Sequence, residues 1–263
     1  PDGFVPPSRI AEALSPDTRL VVVTHASNVN GTVEPIEEIG EICRKAGVPL
    51  LVDAAQSAGI LPIDLSALPV DLLACSGHKG LMGPPGTGLL IVREATLRLL
   101  PLREGGTGTF SEMETQPETL PDALESGTMN TPGIAGLGAA LRYIEALGAE
   151  RLMRTHRELS DALLESLRGI PGVRCLLPHD LRLHAPVVSI EIAGWDPHEA
   201  ALALDTAYDI QCRAGLHCAP LAHRTLGTFP QGTLRLSPGA FNTPEEIGMA
   251  VSAIAELAAH PPR

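Results

Sequence analysis

The chain carries little positive charge and few aromatic side chains. Its 263 residues include 19 lysines and arginines against 31 aspartates and glutamates, a net charge of −12, and only 3% of the residues are aromatic. A surface with that charge repels nucleic acid and anionic membranes, and few rings are available to stack on bases. These counts argue against nucleic acid or a membrane surface as the partner.

The sequence also lacks long apolar runs and Cys-x-x-Cys pairs. No apolar run is long enough to span a bilayer, and Pro1-Asp2-Gly3 does not begin a basic region followed by an apolar one. The five cysteines, an odd number, indicate reduced thiols and therefore a cytoplasmic location. A hydrophobic content of 44% is enough to bury one large core or two smaller ones.

Short apolar runs alternate with a helical pattern in the first half of the chain. The predicted strands cover residues 19–24, 50–53, 71–75 and 88–92. Between the first two, Pro35 begins a predicted helix and Gly47 ends it. Strands connected by helices predict an α/β domain with a parallel or mixed sheet.

The composition changes over residues 103–132, where Gly, Thr, Glu, Ser and Pro predict a loop and a crossover between domains. The patterns beyond it predict helices at 133–147, 150–167 and 197–206, and strands at 173–177, 186–192 and 233–237. Thr243, Pro244 and Glu246 predict a helix that begins with a capping box. We therefore expect two domains, residues 1–131 and a smaller α+β domain of residues 132–263.

Polar segments follow two of the predicted strands at the point where each strand ends. Asp53-Ala54-Ala55-Gln56 follows one strand, and Ser76-Gly77-His78-Lys79 follows the next. Two parallel strands would bring Asp53 and Lys79 to the same sheet edge, where open α/β folds bind ligands. A lysine there can form a Schiff base and a carboxylate can keep a pyridinium nitrogen protonated, as pyridoxal phosphate requires. A lone lysine after a strand is more often a solvated charge, so the prediction depends on these neighbours.

These segments resemble the class V aminotransferase family of fold type I pyridoxal-phosphate enzymes, and within it the cysteine desulfurases. The resemblance extends from about residue 20 to the C-terminus. It implies an α/β fold of the fold type I transferases, with a partial, mainly parallel-sheet large domain and a smaller C-terminal α+β domain. The family's small-residue phosphate loop and ring-stacking side chain would lie upstream, so we expect a fragment or a truncated gene product.

The resemblance assigns the cofactor site to residues of the first half. Lys79 would form the Schiff base with pyridoxal 5'-phosphate, and Asp53 would pair with its pyridine nitrogen. Gln56 would hydrogen-bond the ring hydroxyl, while Ser76 and His78 would hold the phosphate.

Two further segments resemble parts of the family site. Thr24-His25-Ala26-Ser27-Asn28 matches the family's T-H-x-S-N, which implies Asn28 near the ring hydroxyl and the substrate carboxylate, although asparagine is also common in strand-to-loop turns. Gly105-Gly106-Thr107-Gly108-Thr109 resembles the loop that members insert into the neighbouring subunit's site. The resemblance thus implies a homodimer, with Thr107 or Thr109 reaching the phosphate.

The glycine-rich segment Gly83-Pro84-Pro85-Gly86-Thr87-Gly88 does not predict a nucleotide-binding loop. A P-loop requires Lys and then Ser or Thr after its last glycine, followed by a helix. Here Leu89 and Leu90 follow and begin a predicted strand. We interpret this segment as the turn that leaves the Lys79 segment.

The segment Arg213-Ala214-Gly215-Leu216-His217-Cys218-Ala219 resembles the active-site cysteine segment of desulfurases, which makes Cys218 the nucleophile. A thiolate attacks sulfur, and positive charge from Arg213 and His217 would favour that thiolate. Cys218 could instead be a small apolar residue, as we interpret Cys43, Cys75 and Cys175. Another alternative is a zinc site, but the spacing of its potential ligands fits no common pattern. Those ligands would be Cys212, His217, Cys218 and His223.

Arg235 alternates with Leu234 and Leu236 in a predicted strand, so it lies on the opposite face. A guanidinium there can hold an amino-acid carboxylate through two hydrogen bonds, although an exposed strand arginine is the simpler alternative. Arg213, His217 and Asn28 are the other candidate contacts to the substrate.

Taken with these residues, the resemblance implies a cysteine desulfurase. Such an enzyme would convert L-cysteine to L-alanine, form a persulfide on Cys218 and pass the sulfur to an acceptor protein. The alternatives are another class V enzyme, such as a selenocysteine lyase, an aminotransferase or an epimerase, or a non-catalytic fragment.

Overall fold

The first half of the chain folds around a four-stranded sheet with the order β1–β2–β3–β4. The computed structural model describes residues 2–93, 97–178 and 180–262. The strands are β1 (Val21–Thr24), β2 (Leu50–Asp53), β3 (Leu72–Ser76) and β4 (Gly88–Val92). The first three are parallel and β4 is antiparallel to β3, so of the predicted alternatives, a parallel or a mixed sheet, the sheet is mixed.

Helix α2 (Ile36–Ala46) packs on one face of this sheet, and α1 (Pro7–Ala13) packs on α2. Ile39 and Cys43 of α2 are buried against Leu50 and Val52 of β2. Helix α2 ends as the sequence predicts, because Gly47 adopts a φ of 68°, which glycine tolerates without steric cost.

The second half folds around a separate antiparallel sheet with the order β5–β6–β8–β7. Its strands are β5 (Val173–Leu176), β6 (Val188–Ile192), β7 (Arg213–Gly215) and β8 (Thr233–Leu236). The helices of this half are α3 (Thr131–Leu147), α4 (Ala149–Arg168), α5 (Pro197–Tyr208), α6 (Pro220–Leu226) and α7 (Pro244–Ala259). Apolar side chains from α4, α5 and α7 form its core against β6 and β8.

Each helix and strand predicted for this half is present, whereas β7 and α6 were not predicted. Helix α7 begins with the predicted capping box, in which the Thr243 side chain and the Glu246 side chain each bond the other residue's backbone N–H. Strand β7 has three residues and α6 seven, too few for a hydrophobic period to be visible in the sequence. Along the sequence, the strands of the first sheet precede residue 131 and those of the second sheet follow it. The division into domains of residues 1–131 and 132–263 stays a prediction.

The loop after β1 joins the two halves. Thr32 forms a β-bridge with His184, and the N–H of Ala185 donates to the carbonyl of Gly31 at 2.7 Å. A Cβ on Gly31 would lie 2.7 Å from the backbone oxygen of Ala185, so only glycine permits this approach. The loop that follows β1 is therefore fixed against the second sheet.

Across the part of the chain that the structure describes, none of the helices combines the length and the apolar character needed to cross a membrane.

Candidate active site

The carboxyl ends of β1, β2 and β3 lie side by side, as the sequence predicts. Thr24 pairs with Asp53, and Asp53 pairs with Ala74. The loop after β3 is closed where the N–H of Gly77 donates to the carbonyl of Thr87 at 2.9 Å. Asp53 and the turn that carries Lys79 therefore leave the sheet at the same edge.

Two glycines let the turn of Gln56 approach the turn of Lys79. A Cβ on Gly59 would lie 2.3 Å from the carbonyl oxygen of Gly80, and one on Gly80 would lie 2.4 Å from that of Ala58. Side chains larger than hydrogen would push the two turns apart. Gln56 and Lys79 consequently line one cavity of about 290 Å³, whose other wall comes from the second half of the chain.

The polar side chains at this edge have unused hydrogen-bonding capacity. Four polar side chains at this edge make no hydrogen bond or ion pair with the described residues: Gln56, Ser76, His78 and Lys79. Asp53 accepts one hydrogen bond, from the N–H of Ala55 at 2.9 Å. An unpaired amine, imidazole, hydroxyl and amide beside a carboxylate form a donor and acceptor set that fits pyridoxal phosphate.

Cys218 lies on a loop with an unusual backbone. His217 and Cys218 both adopt left-handed conformations, with φ of 49° and 61°. The loop is closed where the N–H of Ala219 donates to the carbonyl of Leu216 at 2.8 Å, and the His217 Nε2 lies 3.1 Å from the Thr233 hydroxyl. The structure presents the Cys218 side chain to solvent on this constrained turn.

Arg235 is close enough to Cys218 for their charges to interact, and it has no acidic partner among the described residues. Its Nη1 donates to the carbonyl of Asn28 at 2.8 Å, while its Nε is buried without any hydrogen-bond partner. Arg213 lies opposite Arg235 in the register of β7 and β8. Burial, and then the charge of Arg213, lower the pKa of Arg235, and the negative charge of a Cys218 thiolate raises it. A half-buried guanidinium with an unused donor is suited to bind an anion.

His217 is neutral at pH 7. Burial lowers its pKa to about 4, and the charges of Arg235, His223 and Arg213 also lower it. The positive charge that we expected His217 to supply near Cys218 is therefore missing. Arg235 supplies it instead, because a guanidinium keeps its charge even where burial lowers its pKa.

Among the five cysteines, we expect iodoacetamide to label Cys218 first. Burial raises the pKa of Cys43, Cys75 and Cys175, and it raises the pKa of Cys212 to about 11. Thiols alkylate through the thiolate, so labelling of Cys218 near pH 7.5 should be at least about tenfold faster than that of the others. Peptide mass spectrometry over a time course measures each rate, and labelling of Cys212 as fast as Cys218 would contradict the expectation.

The structure does not bring Thr107 and Thr109 to the Lys79 edge of the same chain. The Thr107 hydroxyl donates to the carbonyl of Thr109 at 2.5 Å, and the Thr109 hydroxyl donates to Asp122 Oδ1 at 3.0 Å. Their contact with a neighbouring subunit stays a prediction. In the described ranges, no group of three or more His, Cys, Asp or Glu side chains is arranged to hold a metal ion, so the zinc alternative gains no support.

Sequence reasoning missed two buried polar residues around the site. Ser189 of β6 donates from its hydroxyl to the carbonyl of Val29 at 2.5 Å. His156 of α4 lines the Lys79 cavity, with Nδ1 3.2 Å from the carbonyl of Pro238 and Nε2 buried without a partner. In the sequence each of these residues is visible only as a polar residue in an otherwise apolar pattern. Such a pattern does not reveal which groups the residue contacts.

Two buried groups near this edge should give opposite pH dependences of stability. Burial lowers the pKa of His25, which hydrogen-bonds the Ser57 hydroxyl at 2.9 Å, from 6.5 to about 4. The unfolded chain therefore binds a proton that the folded chain does not, and stability falls by up to about 3 kcal/mol as the pH drops from 6.5 to about 4. Burial raises the pKa of Glu34 from 4.5 to about 7. The stability that protonated Glu34 contributes is therefore fully present below pH 4.5 and is lost as the pH rises through 7.

Urea unfolding at several pH values tests both groups. We expect His25→Asn to flatten the loss of stability below pH 6.5, since the variant no longer binds the extra proton on unfolding. Glu34→Gln should steepen the same loss, because it removes the opposing contribution. If both variants changed the slope in the same direction, one of the two assignments would be wrong.

The chain matches known proteins over nearly its whole length. The family model for "Aminotransferase class-V" matches residues 1–249. A relative from Methanothermobacter thermautotrophicus, named "Probable cysteine desulfurase", is 38% identical over 261 residues, which cover 97% of this chain and 64% of the relative. The "Cysteine desulfurase" of Shigella sonnei is 35% identical over 269 residues, with 98% of this chain and 63% of the relative covered.

Solved structures show the same fold. The apo structure of a cysteine desulfurase from Thermococcus onnurineus matches with a TM-score of 0.86 at 34% identity, covering 98% of this chain and 64% of that one. The cysteine desulfurase CsdA of Escherichia coli matches with a TM-score of 0.85 at 29% identity, covering 96% and 62%. This confirms the predicted fold type I architecture, and the chain spans slightly less than two thirds of the length of these relatives.

The family match over residues 1–249 and the shared fold agree with the Lys79 and Cys218 segments, and we conclude that the chain belongs to the class V aminotransferase family.

Proposed function

We propose that this chain carries the catalytic lysine and cysteine of a pyridoxal-phosphate-dependent cysteine desulfurase. The observation that carries the proposal is the placement of Cys218. It is exposed on a constrained loop, and Asn28 joins that loop both to Arg235, whose Nε has no partner, and to the sheet edge that carries Lys79. The relatives named cysteine desulfurase support the same assignment.

The side chains at the sheet edge have distinct roles in the proposed reaction. Pyridoxal phosphate, when bound, provides an electron sink for the substrate's α-carbon. Lys79 would hold the cofactor and move the proton at that carbon, and Asp53 would keep the pyridine nitrogen protonated. Gln56 would contact the ring hydroxyl, and Ser76 and His78 would contact the phosphate.

Arg235 and Cys218 would act on the substrate itself. The Arg235 guanidinium would bind the cysteine carboxylate, with Arg213, His217 and Asn28 as the neighbouring contacts. The Cys218 thiolate would form a bond to the substrate sulfur as the carbon–sulfur bond breaks. The electron pair of that bond goes to the carbon, which takes a proton. The products are alanine and a persulfide on Cys218.

Two interactions follow from the proposal. A persulfide on an exposed loop is accessible to a sulfur-acceptor protein, which would take the outer sulfur atom.

The segment that carries Thr107 and Thr109 also exposes Leu100, Leu102 and Phe110, and we propose that it packs against a second copy of the chain in a homodimer. All five cysteines are free, which suits a reducing compartment such as the cytoplasm.

The function is tested by supplying pyridoxal phosphate and L-cysteine to the purified protein. Alanine should form, and in the absence of a reductant the peptide that contains Cys218 should become heavier by one sulfur atom. Aminotransferase and epimerase activities do not require a cysteine nucleophile, so a keto acid or D-cysteine as product would favour those alternatives. Alanine without any modification of Cys218 would contradict the proposed mechanism.

Arg235→Ala is expected to impair substrate capture more than cofactor binding. The lost charged contact should lower kcat/KM for cysteine by about a hundredfold, mainly through KM. Arg174→Ala is the matched control, because Arg174 lies on the same sheet and pairs with Glu191. An unchanged KM in the Arg235 variant would place the carboxylate contact elsewhere.

A further inference from the structure

Two successive backbone carbonyls after β1 accept hydrogen bonds from neighbouring residues of the second sheet. The carbonyl of Asn28 accepts a hydrogen bond from Arg235 Nη1 at 2.8 Å, and the carbonyl of Val29 accepts one from the Ser189 hydroxyl at 2.5 Å. Ser189 and Arg235 are register partners on β6 and β8. The backbone of Asn28 is therefore held against the strand that carries Arg235.

The side chain of Asn28 reaches from this position to the Cys218 loop. Its Nδ2 donates to the carbonyl of His217 at 2.6 Å, across 189 residues of sequence. Asn28 thus contacts Arg235 through its backbone and the residue before Cys218 through its amide. It is a bridge between the loop and the guanidinium.

The Cys218 loop needs such an external contact. A non-glycine residue in the left-handed conformation is strained, and it persists only where its surroundings impose that conformation. His217 and Cys218 are two such residues in succession. The contacts of His217 with Thr233 and the turn between Leu216 and Ala219 belong to the second half of the chain. Asn28 supplies the hydrogen bond from the first half.

We propose that Asn28 is a positioning residue for Cys218. Its amide holds the left-handed pair, and this fixes the position of the thiol relative to the charge of the Arg235 guanidinium. This role differs from the contact with cofactor and substrate that the family resemblance implies for Asn28, and it operates without either of them. The inference rests on the proposed function only where it takes Cys218 to be the nucleophile.

The charge of Arg235 provides a readout at Cys218. A thiol beside a guanidinium reacts faster with anionic iodoacetate, relative to neutral iodoacetamide, than a thiol away from positive charge. The ratio of the two rates, measured for the Cys218 peptide by mass spectrometry, therefore reports how close the thiol lies to Arg235. General loss of stability would raise both rates together and would not reduce this ratio selectively.

The experiment measures the ratio in the cofactor-free protein for Asn28→Ala and for a matched control. Asn30→Ala removes a side-chain hydrogen bond of the same length, in which Asn30 Nδ2 donates to the carbonyl of Asp2 at 2.6 Å. Asn30 lies two residues after Asn28, and its side chain is more buried. We expect the ratio to fall at least about threefold in Asn28→Ala and to stay at the native value in Asn30→Ala. In an Arg235→Ala background the Asn28 substitution should have no further effect, because the charge that it positions is gone.

An unchanged ratio in Asn28→Ala would overturn the proposal, as would an equal fall in both asparagine variants. Circular dichroism establishes that each variant folds. If Asn28→Ala does not fold, Asn28→Gln keeps the amide and displaces it by one methylene, and it should give an intermediate ratio. An unchanged ratio for Asn28→Gln would then overturn the proposal. The alkylation needs no cofactor or turnover, so its outcome is independent of whether the protein makes alanine from cysteine.

Discussion

Replacing Lys79 with alanine is expected to abolish both the visible absorbance of lysine-linked cofactor and all turnover. Lys79 lies on the cavity wall between the two halves, with an amine that makes no bond within the described residues. The proposed reaction needs this amine to hold the cofactor and to move a proton, so the rate should fall by at least about a thousandfold. Absorbance after reconstitution, its bleaching by borohydride and alanine formation measure the effect.

Lys45→Ala is the matched control, since Lys45 is the only other lysine in the sequence and lies in the last turn of α2. That variant should keep the absorbance and the rate of the native protein. A Lys79→Ala protein with an unchanged visible spectrum would show that the cofactor is not held by Lys79. It would also refute the assignment of the sheet edge as the cofactor site.

Cys218→Ala is expected to keep the cofactor absorbance and its response to cysteine, yet lose alanine production. Cys218 lies on the loop of the second half, whereas the proposed cofactor ligands lie at the edge of the first sheet. Removing the thiol removes the acceptor for the substrate sulfur, so alanine formation should fall by at least about a thousandfold. Alanine and sulfide assays, run beside the absorbance spectra, separate the two effects.

Cys175→Ala is the control for loss of a thiol in general, because Cys175 is partly buried against the core of the second sheet. It should retain alanine production. If Cys218→Ala still formed alanine from cysteine at the native rate, the persulfide mechanism would be wrong. Loss of activity with cysteine but not with selenocysteine would indicate a lyase that releases selenium without the thiol.

Local patterns in the sequence were enough to predict the first sheet. The runs that end at Asp53 and Cys75 are short, apolar and bounded by polar residues, so their secondary structure and parallel order follow from the chain itself. The same order predicts that Asp53 and Lys79 share an edge. Helix α7 was predicted for a similar reason, since its capping box is complete within four residues.

The placement of Cys218 depends on contacts that no local pattern contains. The bridge from Asn28 to His217 and Arg235 joins residues 189 and 207 positions apart. The close approach of Gly59 to Gly80 likewise depends on how the turn of Gln56 packs against the turn of Lys79 in the folded chain. The sequence predicts the chemistry at Lys79 and Cys218 through the resemblance of their segments to the family, since amine and thiol reactivity belong to the residue types.

Only the tertiary structure decided the charges around them. Burial makes His217 neutral and leaves Arg213 and Arg235 as the cations of this region. The physical reason is that desolvation and charge–charge interaction depend on burial and on distances in the folded chain, which the order of amino acids alone does not specify.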